Sequence, residues 1–342
     1  MYSLRIFLTG GAGYIGSTLI PALLDNGYGV KCLDRLFFGR ESLDQVALNP
    51  SFELIKDDVR WFDPSILTGI DVVIDLAALS NDPSGELDPA KTLDINYLGR
   101  VRVAKLSKEY RVKQYILASS CSVYGFQEGT LDENSPVNPL TTYAKANIMA
   151  EKDILPLSDS EFTVTVLRLA TVYGLSTKMR FDLAINGIVL GLYKTGKIPV
   201  MRDGTQWRPF LHVKDAAKAF ITVIENPSDR VNGQVFNVGS DEQNYQIHPL
   251  AELIGESIGV PFEIEWYGSP DKRSYKVSFN KIKNLLNFTP NYTPREGAVE
   301  VYDALKNGKV ADSLKTRTVE WYKHLLEAHA ISQEVTLRGT VL

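Results

Sequence analysis

Cysteine is almost absent from this 342-residue chain: Cys32 and Cys121 are the only two, too few for a disulfide framework. Histidine is as sparse, and His212, His248, His324 and His329 show no metal-ligand spacing, so metal catalysis is not expected. No lysine- or arginine-rich run stands out. The 37 basic and 41 acidic side chains leave a net charge of −4, which argues against a nucleic-acid partner. No uninterrupted apolar stretch reaches the roughly 18 residues that span a bilayer. Met1 leads directly into the first strand without a charged-then-apolar leader, so a cytoplasmic protein with no membrane partner is expected. Internal repeats and low-complexity segments are also lacking.

What is present is ample core material, 44% hydrophobic residues, in a chain longer than one ordinary core requires. Apolar strand-like runs at Leu4–Thr9, Val30–Asp34, Phe52–Lys56, Val72–Leu76, Gln114–Ala118 and Val164–Ala170 alternate with helix-like segments, of which Pro89–Tyr110 and Thr142–Leu155 are the clearest. That alternation predicts an α/β fold with a doubly wound parallel sheet, whose ligands lie at the carboxyl ends of its strands. Beyond Tyr173 the pattern becomes irregular. Phe181–Thr195 reads as a helix, Val235–Val238 as a late strand returning to the sheet, and residues 245–328 as a mixture. The division expected is a Rossmann domain of residues 1–175 and 212–240, a smaller α/β substrate lobe of residues 176–211 and 241–330, and a tail, 331–342, loose or used in a contact. Leu314–Leu326, around Trp321, reads as a packed terminal helix without a ligand role.

The first strand runs into Gly10-Gly11-Ala12-Gly13-Tyr14-Ile15-Gly16, which opens a helix. In that context Gly10 permits the tight turn, Gly13 lets backbone approach a pyrophosphate, Gly16 lets helix pack closely on strand, and the helix N-terminus offers N–H groups to phosphate. Asp34 ends the second strand, where its carboxylate can accept both hydroxyls of an adenosine ribose. A 2′-phosphate would meet that charge, softened by Arg35, so NAD is expected rather than NADP.

Two more segments carry chemistry. Ile116-Leu117-Ala118-Ser119-Ser120-Cys121-Ser122-Val123-Tyr124-Gly125 ends a strand in hydroxyls, and Tyr143-Ala144-Lys145-Ala146-Asn147 opens a helix. Together with the glycine turn they resemble the extended short-chain dehydrogenase/reductases of the NAD-dependent epimerase/dehydratase family, which act on nucleotide sugars; the likeness covers nearly the whole chain. It implies that Tyr14, Ile15, Asp58 and Val59 join the glycines at the cofactor, that Leu76-Ala77-Ala78 passes under the diphosphate, and that Asn96 is the Asn of an Asn-x-x-Gly helix motif. It also implies that Ser120 orients the carbinol and Tyr143 removes its proton.

A phenol with a pKa near ~10 is a poor base at neutral pH until positive charge favours its phenolate. The family's lysine, four residues after the tyrosine, supplies that charge. Here the position holds Asn147, and Lys145 is turned away by about 200° around the helix. Tyr143 is therefore expected to ionise less readily than in lysine-bearing relatives. Three readings follow: an active enzyme relying on the nicotinamide charge or on a lysine from elsewhere such as Lys178, an impaired catalyst, or an NAD-binding protein without turnover. The first is preferred.

For the diphosphate of a sugar nucleotide, Arg208 and Arg273 are the main candidates, with Arg180 the weaker third. Ser80, Ser122 and Thr171 complete the expected substrate contacts, Thr171 standing where many relatives have Asn. Members that eliminate water carry Asp-Glu directly after the strand-end hydroxyl; here Cys121 and Ser122 stand there, which argues against a 4,6-dehydratase. The expected function is NAD-dependent oxidation of a nucleoside-diphosphate sugar hydroxyl, as an epimerase, with a dehydrogenase or ketoreductase as alternatives. The resemblance further implies a homodimer through a four-helix interface formed by Pro89–Tyr110 and Thr142–Leu155.

Overall fold

Side chains alternate across a strand, and in this chain both faces are apolar, so the main sheet is covered on each side. The computed structural model describes residues 3–340. Seven parallel strands lie in the order Gln234–Val238, Thr163–Leu169, Gln114–Ser120, Val72–Asp75, Arg5–Thr9, Gly29–Asp34 and Phe52–Lys56. On one face Ile6, Leu8, Val30 and Cys32 pack with Leu19, Ile20 and Leu23 of the helix Gly16–Asp25 and with Phe220 and Val223 of Val213–Glu225. On the other, Phe7, Leu33, Val73 and Tyr115 meet Val103 and Ala104 of Arg100–Glu109 and Ala150 and Ile154 of Thr142–Ile154. This is the doubly wound sheet the sequence predicts. Winding reverses between Arg5–Thr9 and Val72–Asp75, which opens a crevice at their carboxyl ends.

The long helix expected over Pro89–Tyr110 forms with one departure. Its α-helical pieces Pro89–Leu93 and Arg100–Glu109 are joined by a π turn over Asp94–Gly99, a feature that recurs at functional sites. The second helix starts where Thr141 Oγ1 accepts the Ala144 N–H (3.2 Å). It is anchored to the sheet by Glu151, whose carboxylate takes the Arg168 guanidinium (Nη2 to Oε2, 2.7 Å) and the Ser119 hydroxyl, all buried.

A third core gathers Ile185, Val189 and Leu192 of the helix Ala184–Thr195 with Ile198, Val200, Leu250, Ile254, Ala298 and Val301. Small sheets border it: Asn244–Gln246, Trp207–His212 and Thr171–Tyr173 form one, and Glu263–Tyr267 pairs with Lys197–Met201. The stretch from Tyr275 to Phe288 packs instead against the core of the main sheet, through Tyr275, Val277, Phe279, Ile282 and Phe288. The terminal helix is longer than expected, Thr318–Val335, and takes up the beginning of the segment read as a loose tail; Val341 and Leu342 lie outside the described residues.

Removing the Glu151 charge leaves Arg168 buried without its partner, at a cost of about 3–5 kcal/mol. Glu151→Gln is accordingly expected to lower the thermal unfolding midpoint by several degrees, measured by circular dichroism.

Candidate functional site

The crevice at the switch in strand order deepens into one cavity of about 1010 Å³ between the main sheet and the third core. Its floor is the glycine turn. A Cβ on Gly10 (φ +73°) would stand 2.9 Å from the Ala77 backbone, and one on Gly16 would stand 2.5 Å from Gly11 Cα, so both positions exclude a side chain. Ala77 N–H donates to Thr9 Oγ1 (3.1 Å), locking the Leu76-Ala77-Ala78 turn against the first strand. Gly13, Ile15, Leu76 and Ala78 line the same floor. The phenol of Tyr14 donates to the Gly174 carbonyl (2.6 Å) and accepts from Asn186 (3.0 Å).

At one end, Asp34 accepts N–H groups from Ala12 (2.9 Å) and Leu36 (2.7 Å). Burial raises its carboxyl above the ordinary carboxylate value, opposed by those two donors. Arg35 is committed to Asp58 (3.1 Å), which Arg60 also binds; Val59 adjoins them in the wall. Asn96 does not face the cavity. Its side chain clamps the Leu79 backbone at both N–H (2.8 Å) and carbonyl (3.0 Å), so it holds the overlying loop in place.

At the middle stand Ser120 and Tyr143. Ser120 Oγ accepts the Ser122 N–H (3.1 Å) and caps the turn Cys121–Tyr124, which fixes its hydroxyl at the strand end. Burial raises the Tyr143 phenol above its usual value and the Asp82 carboxylate adds to this; Asn147, Arg100 and Ser120 oppose them. Lys145 is exposed, on the far side of its helix. Lys178 is not the compensating cation either. Its ammonium donates to the Lys315 carbonyl (3.1 Å) and lies 3.7 Å over the Phe38 ring, and burial with Arg180 nearby lowers its pKa to about 7. The cation that bears on Tyr143 is Arg100, absent from the sequence reading. Arg100 shares the buried stripe of its helix with Val103, Ala104 and Ser107, and a charge on an apolar stripe was the available signal.

At the far end the three expected arginines converge on the cavity, each held by a carboxylate. Arg180 pairs with Asp182 (2.6 Å) and donates to Ser80 Oγ (3.0 Å), Arg208 pairs with Asp271 (2.9 Å), and Arg273 bridges Asp271 and Asp82. Thr171 and Ser122 line the same cavity. Cys121 is buried, its thiol donating to the Arg168 carbonyl (3.2 Å). His212, also buried, accepts the Lys214 N–H at Nδ1 (3.2 Å) and faces Glu300 through Nε2 (3.0 Å). The terminal helix, expected to pack without a ligand role, borders this cavity. Trp321 Nε1 donates to the Phe37 carbonyl (2.6 Å), and Thr318, Glu320 and Tyr322 join the lining, because packing onto the loop after the second strand carries the helix over the cavity.

Among the described residues, five buried side-chain polar atoms have no hydrogen-bond partner: Arg100 Nε, Ser122 Oγ, Asn147 Nδ2, Gln206 Oε1 and Thr318 Oγ1. Arg100, Ser122, Gln206 and Thr318 line the cavity, and Asn147 stands next to it. A polar ligand that supplies those partners fits this surface.

The profile of the NAD dependent epimerase/dehydratase family matches residues 6–239. The chain belongs to that family. It is 28% identical over 311 residues to a putative UDP-glucose 4-epimerase of Methanocaldococcus jannaschii, covering 88% of this chain and 98% of that one. It is 29% identical to UDP-glucuronic acid decarboxylase 1 of Arabidopsis thaliana, over 89% of this chain and 70% of that protein. Among solved structures it is similar to MoeE5 in complex with UDP-glucuronic acid and NAD, with a TM-score of 0.78, 25% identity, and coverage of 89% and 99%. NAD is the cofactor, and the glycine turn and Asp34 both line this cavity. Among the described residues no helix is long and apolar enough to cross a membrane.

Lys178 gives the site a pH signature. Its folded pKa, about 7, lies below the usual 10.5, so the cost of burying its charge is full below pH 7 and vanishes by about pH 10.5. Lys178→Met is expected to raise the melting temperature of the NAD-free protein at pH 6, and the gain to shrink as pH climbs toward 10, read by scanning fluorimetry.

Proposed function

We propose that the protein oxidises one hydroxyl of a nucleoside-diphosphate sugar and reduces the resulting ketone again, the net reaction being epimerisation. The observation that carries this reading is that one cavity is lined by the glycine turn, by Ser120 and Tyr143, and by three arginines suited to a diphosphate. NAD held on the glycine turn would supply the acceptor and donor for the carbinol hydride. Tyr143 Oη takes the hydroxyl proton and gives it back; Ser120 Oγ holds the oxygen between the two. Arg208 and Arg273 exchange a carboxylate for phosphate oxygens as the sugar nucleotide enters, a bidentate match for guanidinium.

One observation narrows the reaction. The thiol of Cys121 is occupied by a backbone carbonyl and burial pushes its pKa up, so the turn offers no acid for a departing hydroxide, which opposes a dehydratase. A panel of UDP-, GDP-, dTDP- and CDP-sugars with neutral and uronic acid members, followed by NMR, is expected to show an epimerised sugar and no net NADH. Tyr143→Phe is expected to reduce kcat by about 10²–10⁴-fold while the purified protein still carries NAD. Accumulation of NADH with a keto product would make the enzyme a dehydrogenase.

The proposed assembly is a dimer through the two helices around the π turn and Tyr143, which leave Leu98 and Met149 exposed at 53% and 38%. Leu98→Arg is expected to yield a monomer by light scattering.

A further inference from the structure

The position that holds lysine in the family holds Asn147, which is 1% exposed. Its Oδ1 accepts a hydrogen bond from Arg100 Nη1 at 3.0 Å. The guanidinium is itself 1% exposed, and its other terminal nitrogen, Nη2, donates to the carbonyls of Asp75 (3.2 Å) and Ala118, at the ends of two adjacent strands. Its Nε lies 3.8 Å from Asp75 Oδ2 and has no hydrogen-bond partner. A buried charge this well held has a fixed position, and Arg100 lines the same cavity as Ser120 and Tyr143.

We propose that Arg100, held by Asn147, is the cation that lets Tyr143 act as a base, replacing the ammonium that the Tyr143 helix lacks. Lysine at 147 would put a second buried cation against the guanidinium, whereas asparagine turns a carbonyl toward it and leaves Nδ2 unpartnered for a hydroxyl of the bound cofactor. The two residues therefore form a matched pair: arginine at 100 calls for an acceptor at 147. The charged groups bearing on Tyr143 are Arg100 from the long helix and Asp82 from the short helix Asp82–Gly85. Asp82 is bridged to Arg273, and Arg100 is ion-paired with Asp75. Behind Arg100, Asp75 is shared with the Thr9 hydroxyl (2.6 Å) and the Tyr115 phenol. Arg100 is thus a positioning residue for charge, acting on the substrate through Tyr143.

The proposal rests on Tyr143 as the base of the reaction above, and a double-mutant cycle tests it with two readouts. In turnover, Arg100→Met is expected to move the ascending limb of the pH–rate profile up by about one unit or more and to cut the rate at pH 7 about tenfold or more, with recovery toward high pH. Arg100→Met/Asn147→Lys is expected to bring the limb back. In thermal unfolding of the substrate-free holoenzyme, Asn147→Lys is expected to lower the midpoint in the parent but not in the Arg100→Met background. Should Arg100→Met fail to fold because Asp75 loses its counter-ion, Asp75→Asn/Arg100→Met removes both charges and serves in its place. An unchanged ascending limb in a folded Arg100 variant would overturn the proposal. So would an Asn147→Lys single variant that melts like the parent and turns over about tenfold faster, since the site would then have lacked a cation. If no sugar nucleotide turns over at all, the reaction assigned above fails, while the thermal cycle still decides whether Arg100 occupies the lysine's electrostatic place.

Discussion

Arg100 is a guanidinium buried at the carboxyl edge of a parallel sheet, where its terminal nitrogens are held by two strand carbonyls and one amide and its Nε lies 3.8 Å from one carboxylate. Each acceptor belongs to an element the cavity depends on. Asp75 and Ala118 lie at the ends of neighbouring strands, and Asn147 lies on the helix that carries Tyr143. The same bonds that keep the charge in a dry place hold these elements in register, so the electrostatics and the geometry of the cavity are one constraint.

The second buried ion pair repeats the arrangement one turn further along the Tyr143 helix. Glu151 ties that helix to the strand Thr163–Leu169 through Arg168. Arg100 and Arg168 thus grip the helix at residues 147 and 151, four apart and on one face, and Tyr143 precedes them on that face. A phenol placed this way has little freedom to drift from Ser120. The terms acting on its ionisation are then burial and Asp82 against Arg100, Asn147 and Ser120.

The far half of the cavity follows a different logic. Arg180, Arg208 and Arg273 are each paired with an aspartate, so the cavity carries little unbalanced charge until an anion arrives. Partner exchange of this kind favours phosphate over water because the guanidinium is already stripped of solvent and already aimed. The partnerless Ser122, Gln206 and Thr318 atoms distribute further polar demand along the lining.

Much of this was legible in the chain. The strand–glycine turn–helix, the carboxylate ending the second strand and the alternation of strands and helices rest on local sterics and period, which short segments express by themselves. Leu4–Thr9 and Gly10–Gly16 thereby announce a doubly wound sheet and its dinucleotide turn, and Tyr143 with Asn147 announces a tyrosine site short of its lysine. What replaced the lysine was decided by tertiary structure alone, because Arg100 and Asn147 are 47 residues apart and meet only when two helices pack across the same strand ends. The turning of Asn96 onto the Leu79 backbone, the pairing of the substrate-side arginines with aspartates, and the return of Thr318 and Tyr322 over the cavity are of the same kind. Each joins residues distant in the chain, and such contacts depend on which faces the packed elements present, a quantity that periodicity constrains but does not set.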